Sequence, residues 1–80
     1  MRIEVLGIGC AKCNRLEATA KAAAERLGIP YEIQHVRDIN EIVGRGVIAT
    51  PALAIDGKVV VSGRVPSESE LATMITSALA

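Results

Sequence analysis

Gly7-Ile8-Gly9-Cys10-Ala11-Lys12-Cys13 joins a short apolar run, Ile3-Glu4-Val5-Leu6, to an alanine-rich stretch with helical spacing. It holds both cysteines of the 80-residue chain. Its two glycines free the backbone for a sharp turn from strand to helix. Two thiols at this spacing on a first helical turn can close a disulfide with little movement of the backbone. The unpaired N–H groups and the macrodipole of a helix start also favour a thiolate. Lys12 and Arg15 add positive charge nearby, which deepens that preference. Such a pair suits electron exchange with other dithiols or capture of a soft metal ion. Two inert buried thiols would leave the coincidence of pairing, glycines and helix start unexplained.

Outward from this stretch, residues 2–8 read as a first strand. A helix is expected from Ala11 to Leu27, with Leu16, Ala20, Ala23 and Leu27 as its buried stripe. Gly28-Ile29-Pro30 ends it. Tyr31 to Val36 reads as a second strand. Asp38 and Glu41 cap a short second helix, whose apolar face is expected from Ile39, Ile42 and Val43. Gly44 and Gly46 terminate it. After Thr50-Pro51, residues 52–55 read as a third strand. Asp56-Gly57 is a two-residue hairpin signal, and residues 58–62 return. Ser67 and Glu70 form a capping box for a last helix, with Leu71, Met74, Ile75, Ala78 and Leu79 on its apolar face. The order β-α-β-α-β-β-α implies an α/β fold, a four-stranded mixed sheet with three helices. The first two strands should be parallel and the last two an antiparallel hairpin.

Composition narrows the function. The length implies one domain, residues 1–80. Hydrophobic residues make up 50% of the chain, yet Phe and Trp are absent and Tyr31 is the only aromatic. The core must be built from Val, Ile, Leu, Ala and Met, with no aromatic platform for bases. Nine basic and nine acidic residues cancel, which argues against nucleic acid as a partner. No apolar stretch reaches the length of a membrane span, and the N-terminal residues lack the pattern of a signal peptide. A cytoplasmic monomer is expected. In that compartment a lone cysteine pair is more often catalytic or metal-binding than a structural staple.

With C-x-x-C after the first strand and Thr-Pro before the third, the chain resembles the minimal thioredoxin fold. It resembles glutaredoxins in length. It is most similar to the small prokaryotic thioredoxin-like proteins called redox-active disulfide protein 2. The likeness rests on Gly7-Ile8-Gly9-Cys10-Ala11-Lys12-Cys13, Thr50-Pro51-Ala52-Leu53, Ile55-Asp56-Gly57-Lys58-Val59 and Gly63-Arg64. It implies a thiol–disulfide oxidoreductase, a protein disulfide reductase cycling Cys10 and Cys13 between dithiol and disulfide with no other cofactor. Cys10 would attack and Cys13 resolve. Pro51 would be a cis-proline facing the pair, and Thr50 would offer its backbone to an extended substrate. Lys12, Gly63 and Arg64 would lie on the substrate side. Partners would be disulfide-containing proteins and, as electron donor, a reductase or a low-molecular-weight thiol. The pattern also departs from the family. Gly9 stands where thioredoxins carry tryptophan, and Ala11-Lys12 replaces both Gly-Pro and the Pro-Tyr of glutaredoxins.

Three further readings follow from the residues. Glu4 could relay protons to Cys13, as a buried carboxylate does in thioredoxins, or sit at a sheet edge and pair with Arg2 or a neighbour. His35 is expected to cap or face solvent at a strand end. No metal site is assigned, since zinc wants about four ligands and only His35 would join the cysteines. A Cu(I) or soft-metal carrier using the same thiols is the alternative, but copper-binding domains of this length run β-α-β-β-α-β and end in a strand. A redox-sensing interaction module is the third possibility.

Overall fold

The computed structural model describes residues 1–9 and 11–79. Strand β1 (Arg2–Leu6) is buried on both faces from Ile3 onward, which requires cover on each side and a neighbour at each edge. It pairs in parallel with β2 (Glu32–Val36) and antiparallel with β3 (Ala52–Ile55). Strand β4 (Lys58–Ser62) then pairs antiparallel with β3, giving the order β2-β1-β3-β4. Helices α1 (Ala11–Leu27), α2 (Ile39–Gly44) and α3 (Glu68–Leu79) complete the expected element order among the described residues.

The two-residue period of the strands divides the interior. Ile3 and Val5 of β1, with Leu53 and Ile55 of β3, meet Leu16, Ala20, Ala23 and Ala24 of α1 and Leu71 and Ile75 of α3. On the opposite face Leu6, Ala52 and Ala54 meet Val36, Val47 and Ile42 of α2. Each Leu or Ile fully removed from water contributes about 1.5–3 kcal/mol. In a chain without Phe or Trp, the small alanines of α1 let that helix approach the sheet closely.

Turn and cap chemistry agrees with the sequence. Asp56 and Gly57 adopt φ of 50° and 87°, the left-handed pair that a type I′ hairpin needs. The Asp38 carboxylate accepts from the backbone N–H groups of Asn40 and Glu41. Ser67 and Glu70 close their capping box from both sides.

Four expectations are corrected. Strand β1 ends at Leu6, its last ladder pair being Leu6 with Val36, and the chain bends from Gly7 onward. Strand β2 starts at Glu32, which is the first residue paired with β1, opposite Arg2, while the Tyr31 hydroxyl donates to Glu25 on α1. On α2 only Ile42 is buried, while Ile39 and Val43 are exposed. The latter two are four residues apart and share the outer face of a helix of six residues. On α3 the buried stripe is Leu71, Ala72 and Ile75, with Met74 partly covered. Ala78 and Leu79 lie past the core on the last turn and are exposed. No helix among the described residues is long and apolar enough to cross a membrane.

Candidate active site

Gly7 continues the alternation of Ile3 and Val5, so its missing side chain would point to the face covered by α1. Cys13 lies on the first turn of α1 and is fully buried. Its Sγ fills the space that a Cβ on Gly7 would need, and Pro51 Cα lies 3.9 Å from the same point. The strand-to-helix turn, the first turn of α1 and the loop before β3 therefore converge on one sulfur. Cys10, the expected attacking thiol, lies outside the described residues.

The Thr50–Pro51 peptide is cis. Pro51 is buried and Thr50 exposed. The end of β4 supports this loop: the Gly63 N–H donates to the Pro51 carbonyl at 2.8 Å, and Ser62 Oγ donates to the Ala49 carbonyl at 2.9 Å. Gly63 is thereby brought to the Pro51 loop. Lys12 is exposed on the first turn of α1.

Glu4 has another setting than either expectation. Strand β1 is interior to the sheet, so Glu4 is not at an edge; its side chain is 2% exposed. Alternation places it beside Leu6 on the α2 face, whereas Cys13 is on the α1 face. Arg45, the C-cap residue of α2, grips the carboxylate with two hydrogen bonds of 2.9 and 2.7 Å. Arg2 adds a longer ion pair of 3.7 Å, the partner expected at the sequence level. The Arg45 hydrogen bonds outweigh the cost of burial and hold the carboxyl below the usual range. A carboxylate so held, on the far face of the sheet, does not suit a proton relay to Cys13.

Residues 1–76 match the thioredoxin-domain family. The chain belongs to that family. It is 37% identical to a thioredoxin of Methanothermobacter thermautotrophicus over 76 residues, spanning 95% of this chain and 99% of the relative. It is 42% identical to a thioredoxin of Methanocaldococcus jannaschii over 77 residues, spanning 96% of this chain and 88% of the relative.

Within this thioredoxin domain, three residues near the turn have placements that the sequence does not show. Gly7, in sequence a flexible joint and part of the matching motif, seats the Cys13 sulfur. The His35 side chain is 8% exposed rather than solvent-facing. In the parallel ladder His35 stands opposite Val5, on the α1 face, and its Nε2 lies 3.2 Å from the Gly7 carbonyl. The Arg37 guanidinium occupies the space a side chain on Gly9 would need. The signal for Arg37 was available: it follows β2, whose parallel pairing with β1 carries it to the strand-to-helix turn. Arg64 turns the other way and pairs with Glu70 of α3 at 3.1 Å. Among the described residues no three His, Cys, Asp or Glu side chains converge as a metal cluster would require.

Proposed function

We propose that this thioredoxin-like redox protein catalyses thiol–disulfide exchange, reducing disulfides of other proteins with Cys10 and Cys13. The Cys10 thiolate attacks a substrate disulfide, forming a mixed disulfide and expelling one substrate thiolate. Cys13 then attacks the Cys10 sulfur, forming the intramolecular disulfide and expelling the second. A reductase or a low-molecular-weight thiol returns the two electrons, and no prosthetic group is needed.

The observation that carries this reading is the seat of Cys13. Its sulfur is buried on the first turn of α1, against Gly7 and beside the Pro51 loop. A buried sulfur cannot reach a disulfide on a bulky protein, so we assign it the resolving step and assign the attack to Cys10. Thr50, Lys12 and Gly63, all exposed, form the proposed substrate-facing rim, with Pro51 shaping it. Arg64 joins that rim if a substrate carboxylate displaces Glu70. A reducing compartment, the cytoplasm, suits a pair that must return to the dithiol.

A redox titration tests the proposal: the dithiol fraction is read by alkylation and mass spectrometry across glutathione or dithiothreitol buffers, with and without Cu(I). A single two-electron transition together with reduction of a protein disulfide is expected. Tight Cu(I) binding without reductase activity would replace exchange by the metal-carrier reading.

A further inference from the structure

The peptide groups around Gly7 are fixed from both sides by the end of β2. The Gly7 N–H donates to the Val36 carbonyl at 3.0 Å. The Gly7 carbonyl faces His35 Nε2 at 3.2 Å, and a carbonyl can only accept, so that nitrogen carries the hydrogen. Burial, not a second hydrogen bond, confines the ring of this side chain, which is 8% exposed. Its strand neighbour is Val5, and its buried Nδ1 makes no hydrogen bond and lies 3.7 Å from the Glu17 carboxylate. Glu17 is one helical turn beyond Cys13 on α1, so the imidazole is wedged between the strand-to-helix turn and the helix that carries the sulfur.

Gly7 is where the Cys13 sulfur packs on main chain, with no side chain between. Whatever fixes the Gly7 peptide therefore fixes the floor beneath that sulfur. Resting on the exchange reading above, we infer that His35 is a positioning residue for the Cys13 step, acting through the Gly7 carbonyl. In that step the Cys13–Cys10 S–S bond forms while the bond from Cys10 to the substrate sulfur breaks. The substrate sulfur leaves as thiolate with the electron pair, and the Cys13 proton passes to solvent. In-line attack between two sulfurs tolerates little displacement: a misplacement of ~1 Å costs about 10²-fold in comparable steps. Attack by Cys10 on an external disulfide does not use the Cys13 sulfur, so it serves as the reference step.

The two steps separate when the reduced full chain meets a symmetric nitrothiobenzoate disulfide, whose leaving thiolate absorbs visible light. The first thiolate reports attack by Cys10, and the second reports resolution by Cys13. His35→Ala should slow the second release by about tenfold, a fraction of that misplacement cost, and leave the first unchanged. His35→Gln keeps a side-chain N–H donor and should restore the second release. Gly7→Ala, which puts a methyl group where the sulfur sits, should slow it further. The His35 pair of variants decides even where Gly7→Ala does not fold. A wild-type second release in His35→Ala, or equal slowing of both releases, would overturn the inference. A wild-type chain that releases only the first thiolate would instead overturn the exchange reading itself.

Discussion

Arg45 and Glu4, 41 residues apart in sequence, meet as a two-pronged ion pair beneath the α2 face of the sheet. The pair does what the six residues of α2, with only Ile42 buried, could not do by packing alone: it ties the end of a short helix to the central strand. Glu4 is the one charged side chain among the described residues that is buried. A carboxylate in that position is stable only while its partner remains.

Arg45→Ala should therefore destabilise the domain by about 3 kcal/mol, because it leaves Glu4 buried and largely uncompensated. Replacing both members, Glu4→Leu with Arg45→Met, should cost far less. Urea titrations of the single and double variants check this. Equal loss in the two would show that the charge pair is not the source.

The same pair predicts a pH dependence. The folded Glu4 carboxyl is held below its unfolded value, chiefly by the Arg45 hydrogen bonds. Its contribution is thus fully present above about pH 4.3, the unfolded value, and is lost as pH falls through the lower folded value. The stability gap between wild type and Arg45→Ala should narrow across that acid window. A gap that stays constant as pH falls would contradict the sign.

Gly9 combines a backbone requirement with a contact. Its φ of 90° lies in the region that side chains rarely adopt, at a cost of about 1–3 kcal/mol for a non-glycine residue. The Arg37 guanidinium also fills the space that a Cβ would take. The guanidinium is the far end of an exposed, flexible side chain and can swing aside, so Gly9→Ala should cost about the same in the wild type and in an Arg37→Ala background, the backbone setting the loss. A double-mutant cycle by chemical denaturation compares the two. A clearly smaller cost in the Arg37→Ala background would show that the contact, not the backbone, limits this position.

At the start of α3, Ser67 Oγ accepts from the Glu70 N–H at 3.1 Å, and the Glu70 carboxylate accepts from the Ser67 N–H at 3.3 Å. Ser67→Ala should cost about 1 kcal/mol, and Ser67→Gly only a few tenths. Thermal unfolding of the two variants provides the ranking. Because α3 packs beside α1 rather than at the strand-to-helix turn, exchange rates should not follow these losses.

Local chemistry made the fold legible, and long-range placement hid much of the site. Asp56-Gly57, Asp38 and the Ser67–Glu70 box act within a few residues, so their reading carried over into the observed turns and caps. The length of α1 followed from its stripe and from Gly28-Ile29-Pro30. Residues whose meaning depends on strand order were less readable. Glu4 changes from edge residue to buried partner once β1 lies between β2 and β3. His35 turns inward because parallel pairing puts it on the face of Val5. Gly7 signals a joint in one dimension and a seat for sulfur in three. Ile39, Ile42 and Val43 fit a helical face, but the short α2 carries only one of them inward.

The assignment of unequal roles to the cysteines gives the last prediction. Cys13 is fully buried against Gly7, so a variant lacking it should still be attacked from solvent only through Cys10. Cys13→Ser removes the group that resolves the mixed disulfide, so covalent complexes with protein substrates should accumulate. Cys10→Ser leaves the buried sulfur alone, and few complexes should form. Non-reducing gels after incubation with a disulfide-containing protein, followed by mass spectrometry of the linked peptides, read both outcomes. Equal trapping by the two variants would show that burial does not divide the labour, and the order of attack and resolution would have to be abandoned.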